Sequence, residues 1–127
     1  MRLRNGVDMV KISRIEEAFA RRGEAFLARF CTAAELDDCR SEGDAGWRWG
    51  SLAARFAAKE ALAKALGTGI AGGVNLREIE VARGESGEPH YKLSGSTEQR
   101  FADAGFTDSS LSLSHEADLA IAMCVIW

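Results

Sequence analysis

The chain contains 127 residues, of which 46% are hydrophobic and 28% charged, and this composition predicts a single globular domain spanning 1–127. The formal net charge of −3 gives no overall attraction to nucleic acid or to an anionic membrane, so we expect neither as a partner. No apolar run approaches the roughly 18 residues that span a bilayer, so no membrane-spanning helix is predicted.

The first half of the chain carries the helix signals. A strand is predicted at 3–10, and helices at 13–22, 32–40 and 51–66. Ser13 with Glu16, and Thr32 with Glu35, have the form of capping boxes, in which paired side chains satisfy free backbone N–H groups. The segment 41–50 mixes glycines with charged residues and predicts a loop.

The second half changes to strand signals. Strands are predicted at 76–83, 90–93, 111–115 and 119–126, with one short helix at 96–104. The glycine- and proline-containing segment 84–89 predicts a hairpin loop between the first two strands, and 116–118 joins the last two. Helices gathered early and strands paired late favour an α+β fold with an antiparallel sheet.

The three cysteines, Cys31, Cys39 and Cys124, show no metal-ligand spacing. An odd number of cysteines without a recognisable signal peptide is typical of reduced thiols in the cytoplasm. We therefore expect a cytoplasmic protein in which these side chains are small core residues.

The predicted helix at 51–66 holds the residues most indicative of function. One apolar face collects Leu52, Phe56, Leu62, Ala63 and Leu66. Lys59 projects near the middle of this face, where a lysine must extend to solvent, pair with an acid or meet an anion. Glu60 and Lys64 border the same stripe, and Arg55 lies on the opposite border. These charges suit a phosphate-rich ligand with a metal ion; the alternative is a solvated Glu60–Lys64 pair, worth about 0.3–0.5 kcal/mol.

Two further polar side chains stand where they are costly or commonly functional. Asp8 interrupts a hydrophobic strand, and a carboxylate there must be paired, solvated or bound to a metal. Together with Glu60 it would provide two hard oxygen ligands for Mg²⁺, but an acid facing water on an edge strand is equally consistent. His115 ends a predicted strand and is either a site residue or a hydrogen-bonded structural histidine.

Six segments, in the same order along nearly the whole chain, match one known pattern. They are GVDMV at 6–10, RFCTAAEL at 29–36, RFAAKEALAKALGTGI at 55–70, IEV at 79–81, GEP at 87–89 and SLSH at 112–115. Through them the chain resembles the holo-acyl-carrier-protein synthases, the short bacterial type of 4′-phosphopantetheinyl transferase. The segment 55–70 is the most specific of the six.

The resemblance implies a fold in which one long helix packs on an antiparallel sheet, and a homotrimer with active sites between neighbouring protomers. It implies transfer of 4′-phosphopantetheine from coenzyme A to a serine of apo-acyl carrier protein, with release of 3′,5′-ADP. The reaction would depend on Mg²⁺ and would serve fatty-acid or polyketide biosynthesis. Such a transfer needs in-line positioning and charge neutralisation more than covalent catalysis.

The resemblance also implies roles for individual residues. Asp8 and Glu60 would hold Mg²⁺, and Lys64 would approach the pyrophosphate of coenzyme A. These three form the expected catalytic set, with Glu60, directly or through a metal-bound water, as the base for the serine proton. The nucleotide site would be lined or supported by Arg55, Lys59, Lys64, Gly67, Thr68, Gly69, Pro89 and His115. In the loop 41–50 Arg48 is the single positive residue, which leaves 3′-phosphate recognition unassigned.

An acidic carrier protein needs a local basic surface, and the first helix offers one. Its basic residues fall within about a third of the helical circle, around Ala18: Lys11, Arg14, Arg21 and Arg22. Ile12, Ile15 and Phe19 point the other way and would pack inward. Phe26 would add an apolar anchor beside the basic stripe. A solvated charged face is the alternative interpretation.

Two other functions would use some of the same residues. A magnesium-dependent nucleotide pyrophosphatase would use Asp8 and Glu60 but would release phosphopantetheine without a carrier. A non-catalytic carrier-binding module would not need Asp8, Glu60 and Lys64 together, so the presence of all three favours catalysis.

Overall fold

The computed structural model describes residues 2–41, 46–69 and 72–127. Residues 42–45 of the predicted loop and residue 70 of the 55–70 motif lie outside the described residues. The strands are β1 (Arg4–Lys11), β2 (Ile79–Arg83), β3 (Pro89–Leu93), β4 (Ser109–Glu116) and β5 (Leu119–Ile126). The helices are α1 (Ile12–Arg22), α2 (Glu24–Ala28), α3 (Ala33–Cys39), α4 (Trp49–Ala65) and α5 (Gly95–Asp103). The predicted α+β class is confirmed, and no described helix is both long and apolar enough to cross a membrane.

The strands of the described residues form two antiparallel sheets. Strands β1, β5 and β4 lie side by side in that order, and β2 pairs with β3 as a hairpin. In the three-stranded sheet, Asp8 is opposite Ala122 and His115 is opposite Ala120. Because successive side chains alternate between faces, these two polar residues share the face that carries the buried residues of the sheet.

Helix α4 packs against that inner face, and β1 crosses it at very close range. A side chain at Gly6 would collide with the backbone carbonyl oxygen of Ala61, so glycine is required at the crossing. Helices α1 and α3 and strand β2 contact other sides of α4. The helix is therefore buried on nearly every side rather than on the one predicted face, and even Arg55 and Lys59 are buried.

The first predicted capping box is wrong. Helix α1 begins at Ile12 with Lys11 in the capping position, and no side chain of the flanking residue caps it. The backbone N–H and the hydroxyl of Ser13 instead donate to the carboxylate of Asp118, at 2.8 and 2.6 Å. Asp118 lies in the turn between β4 and β5, so an acid distant in sequence replaces Glu16 as the partner.

The second predicted capping box is confirmed. The backbone N–H of Glu35 donates to the Thr32 hydroxyl at 3.3 Å, and the Thr32 N–H donates to the Glu35 carboxylate at 3.0 Å. The elements differ from prediction in several places. Helix α2 was not expected, and α4 begins at Trp49, inside the predicted loop 41–50. Strand β4 begins at Ser109 rather than at 111, and the predicted strand at 76–83 opens with a 3₁₀ turn, Leu76–Glu78. The side chain of Asn75 accepts from the N–H of Arg77 and holds that turn.

We expect the substitution Gly6→Ala to lower the free energy of unfolding by about 3 kcal/mol, the upper part of the range for overpacked cores. The added methyl group meets a helix carbonyl, which cannot rotate away, so β1 and α4 must separate. Chemical denaturation measures the effect. Asn5→Ala, an exposed neighbour on the same strand, is the control and should stay within about 0.5 kcal/mol of the wild type. Wild-type stability in Gly6→Ala would contradict the crossing geometry.

Candidate active site

A first group of charged residues lies where β1 meets the second half of α4. The Lys64 ammonium donates to the Asp8 carboxylate at 3.0 Å and to the carbonyl of Val7 at 3.0 Å. The Asp8 side chain is 17% exposed and that of Lys64 54%, so the pair lies at the rim of the core. The Gly6 crossing brings the strand this near to the helix, and one lysine thereby holds both the backbone and the acid of β1.

Glu60 belongs to the same group, which we call the acidic corner: Asp8, Glu60 and Lys64. Burial raises the pKa of Glu60, the Asp8 carboxylate raises it further, and the Lys64 ammonium opposes the shift. Two carboxylates are thus close enough to repel each other, beside a single cation. Among the described residues no group of three or more His, Cys, Asp or Glu side chains could hold a metal. The corner can supply two oxygen ligands, which fits an ion such as Mg²⁺ that keeps waters and substrate oxygens.

A second group lines a cleft of about 230 Å³ beside the first half of α4. Its walls are formed by Ser51, Ala54, Arg55, Val81, Arg83, Gly87, Pro89, Leu113 and His115. Three predicted site residues, Arg55, Pro89 and His115, therefore meet in one cavity. Sequence analysis missed Arg83, although a basic residue at the end of a strand, just before a glycine-containing loop, was a usable signal.

Helix α4 begins at the edge of this cleft. Gly50, in the first turn, lies against the His115 ring: a side-chain carbon at this position would be 3.0 Å from two ring atoms. The absence of a side chain lets the imidazole lie over the start of the helix. The N-terminal end of a helix carries partial positive charge, so this end of the cleft favours an anionic ligand.

Lys59 is not placed as expected. Its ammonium is fully buried and donates to the Glu35 carboxylate at 2.6 Å and to the carbonyl of Leu76 at 2.9 Å. The pairing alternative is therefore the one observed, and Lys59 is not among the residues that line the cleft. Because its hydrogen bonds go to Glu35 and Leu76, Lys59 does not contact a phosphate directly, and its expected support of the site around the phosphates stays a prediction. Any effect on the site must be indirect.

The segment Gly67, Thr68 and Gly69 lies at the other end of α4 from the cleft. The N–H of Gly67 donates to the carbonyl of Lys64 at 2.9 Å, and the N–H of Gly69 donates to the carbonyl of Ala63 at 3.2 Å, which closes the helix. The Thr68 hydroxyl is buried and has no hydrogen-bond partner among the described residues. These residues adjoin the acidic corner in sequence, not the cleft.

Within this chain the predicted site residues thus fall into two groups. Arg55 in the cleft and Lys64 in the acidic corner are separated by about 13 Å along the helix axis, because each helical residue advances about 1.5 Å. The first group can bind a cation and a phosphate, and the second can bind an anion against apolar walls.

The predicted docking residues lie at the surface. Arg14, Arg21 and Arg22 are exposed on α1, whereas Lys11 is exposed at the end of β1 and is not part of the helix. Ala18, expected within the basic stripe, is buried with the inward-facing residues of α1. On α1 the basic stripe therefore consists of Arg14, Arg21 and Arg22, without Lys11 and Ala18.

Phe26 is half-buried and makes an edge-to-face contact with Phe30, with ring centroids 5.4 Å apart. It lies in a groove that begins beside the basic stripe. The groove is lined by Arg22, Phe26, Arg29, Phe30, Phe56, Val74, Asn75 and Leu76. Apolar rings and arginines thus occur together at this surface, which suits an acidic partner with an apolar contact.

The chain belongs to the 4′-phosphopantetheinyl transferase superfamily, whose family model matches residues 4–124. A holo-[acyl-carrier-protein] synthase from Carboxydothermus hydrogenoformans is 48% identical over 123 residues, which cover 97% of this chain and 96% of that protein. The family resemblance drawn from the sequence motifs is thereby confirmed.

Two solved structures have the same fold. The crystal structure of holo-[acyl-carrier-protein] synthase from Neisseria meningitidis matches with a TM-score of 0.86 and 36% identity, over 98% of this chain and 97% of that one. The synthase from Helicobacter pylori, solved in complex with coenzyme A, matches with a TM-score of 0.84 and 32% identity, over 97% and 99% of the two chains.

Proposed function

We propose that this chain, acting as a single domain, transfers 4′-phosphopantetheine from coenzyme A to a serine of apo-acyl carrier protein and releases 3′,5′-ADP. The acidic corner carries the proposal, because it combines two carboxylates and a lysine on a chain of this superfamily. The coenzyme A bound by the Helicobacter pylori relative supports the donor substrate.

Asp8 and Glu60 are the residues that would hold Mg²⁺. A divalent cation would offset the repulsion between the two carboxylates. It would also offset the cost of burying the charged Glu60 carboxylate, which raises the pKa of Glu60. When bound, the ion neutralises negative charge on the pyrophosphate and on the departing phosphate. Lys64, whose ammonium already lies at this corner, contacts the pyrophosphate from the protein side.

The residues of the corner then position the acceptor. The serine oxygen attacks the β-phosphorus of coenzyme A, and the bond from that phosphorus to the oxygen of the 3′,5′-ADP leaving group breaks. Glu60 is the candidate acceptor of the serine proton, because it is a carboxylate at the corner where the pyrophosphate is placed. In-line placement of serine and leaving group contributes the larger share of the rate.

We assign the 3′,5′-ADP portion of coenzyme A to the cleft of Arg55, Pro89 and His115. Because the cleft and the acidic corner are separated within a protomer, a complete site would combine the cleft of one protomer with the corner of its neighbour. Gly67, Thr68 and Gly69 would then border the nucleotide from the corner side.

The outer face of the three-stranded sheet supports a homotrimer. Its large apolar side chains are between 39% and 61% exposed: Val7, Met9, Leu119, Ile121 and Met123. A contiguous apolar patch of this kind marks a protein–protein interface. Packing this face of three copies around a three-fold axis would bury apolar surface that one small domain leaves exposed to solvent.

We place the carrier protein on the basic stripe of α1, with Phe26 as the apolar contact. We also place the enzyme in the cytoplasm. The carrier serves fatty-acid or polyketide synthesis. The three cysteines are buried free thiols, which is usual in a reducing compartment.

The reaction is tested by incubating the protein with apo carrier, coenzyme A and Mg²⁺ and measuring the intact mass of the carrier. We expect a gain of one phosphopantetheine, and a loss of turnover of about 100-fold or more in Asp8→Ala and in Glu60→Ala. Circular dichroism should show both variants folded. Near-normal turnover in either variant would refute the metal-site assignment. Phosphopantetheine released from coenzyme A without carrier would instead favour the pyrophosphatase.

Reversing charge on the docking helix tests the partner surface. The double substitution Arg14→Glu and Arg21→Glu should raise the Michaelis constant for carrier protein roughly tenfold or more, because like charges then face each other. The Michaelis constant for coenzyme A should stay the same. Arg100→Glu, at an exposed position of α5, is the control. An unchanged Michaelis constant for carrier protein in the double variant would refute this docking surface.

A charge on the outer sheet face tests the oligomer. We expect Ile121→Asp to convert the trimer to monomers in sedimentation velocity and to abolish transfer, because each site then lacks its second half. Ala102→Asp, exposed on α5, should leave both mass and activity unchanged. A fully active monomer would show that one protomer contains a complete site.

A further inference from the structure

Glu35 is a carboxylate with no exposed surface, and it makes more contacts than a helix cap requires. One oxygen accepts from the Thr32 N–H at 3.0 Å and from the Lys59 ammonium at 2.6 Å. The other accepts from the N–H of Val81 at 3.0 Å. A buried carboxylate is costly unless it is hydrogen-bonded, and these three donors offset the cost of burying Glu35.

These contacts join the two main walls of the nucleotide cleft. Arg55 and Lys59 are on α4, and α4 forms one wall; Val81 is on β2, and β2 forms another. Glu35 itself lies behind both walls and does not line the cleft. Its position in α3 therefore fixes the distance between the helix and the strand.

The second oxygen of Glu35 also faces Arg55. It lies 3.9 Å from the Arg55 Nε, which is buried and has no hydrogen-bond partner among the described residues. The other contact of this guanidinium is a hydrogen bond of 3.2 Å to Asp38, whose side chain is about half exposed. One buried carboxylate thus stands between two buried cations and lies closer to Lys59. Arg55, at the wall of the cleft, therefore has two acids near it, and Glu35 is the buried one.

We infer that Glu35 is a positioning residue for coenzyme A: through its charge it holds Arg55 at the cleft wall, and through its hydrogen bonds it holds α4 against β2. This inference rests on the proposed function. Lys59 takes part as the second partner of Glu35, which explains how a lysine away from the cleft still bears on the site.

The experiment is kinetic and uses the isosteric variant Glu35→Gln. We expect the Michaelis constant for coenzyme A to rise about tenfold, because one contact to a charged group is lost. The kcat should stay within about threefold of the wild type, and the Michaelis constant for carrier protein should not change. Calorimetric binding of coenzyme A should weaken by the same factor. Thr97→Val is the matched control: it removes hydrogen bonds of a fully buried side chain outside the cleft, so it should lower Tm without changing either constant.

A second variant tests whether Glu35 acts by positioning Arg55 or only by neutralising Lys59. Glu35→Gln combined with Lys59→Met removes the unpaired buried ammonium and should recover stability. The Michaelis constant for coenzyme A should stay raised, because Arg55 still lacks the charge of Glu35 and keeps only Asp38.

Three results would overturn the inference: a normal constant in Glu35→Gln, recovery of that constant in the double variant, or an equal rise in Thr97→Val. Absence of transfer by the wild-type protein would instead refute the proposed function, and the calorimetric comparison would still test Glu35.

Discussion

The crossing of β1 over α4 at Gly6 determines where the acidic corner of Asp8, Glu60 and Lys64 lies. The strand approaches the helix until its backbone meets the carbonyl of Ala61, a distance that no side chain would allow. Two residues later on the strand, Asp8 points to the same face and arrives beside Lys64 and Glu60. Asp8 is thereby fixed beside Glu60 and Lys64, which are distant from it in sequence, without relying on a flexible loop.

Helix α4 is unusual in carrying charged residues while being buried on nearly every side. Each of its buried cations is matched by an acid from α3: Lys59 by Glu35, and Arg55 by Asp38 with Glu35 behind it. Burying such charges costs several kcal/mol per ion, so the arrangement adds little stability compared with apolar residues. Its value lies in geometry, since the same helix must present one guanidinium to the cleft and one lysine to the acidic corner.

Local signals in the sequence were sufficient where the partners are close along the chain. The Thr32–Glu35 box was predictable because its two residues share one helical turn. The Ser13 box failed because Asp118, separated by 105 positions, offers a carboxylate to the same N–H. Likewise, periodicity placed Lys59 on an apolar face but could not identify Glu35, 24 positions away, as its partner. Asp8 and Glu60 were proposed as a metal-binding pair from their residue types, and the family motifs then supported that prediction, since spacing alone left each of them with a solvated alternative.

The separation of the cleft from the acidic corner follows from the same rigid helix. A straight helix cannot bring Arg55 and Lys64 onto one small ligand, because about 13 Å of axis lie between them. Coenzyme A carries a nucleotide end and a pyrophosphate, so it needs both an anion-binding cleft and a cation-binding corner. The exposed apolar sheet face includes Val7 and Met9, which flank Asp8 on β1. A neighbouring protomer packed on that face would bring its own cleft towards the corner, so assembly and catalysis would depend on the same strand.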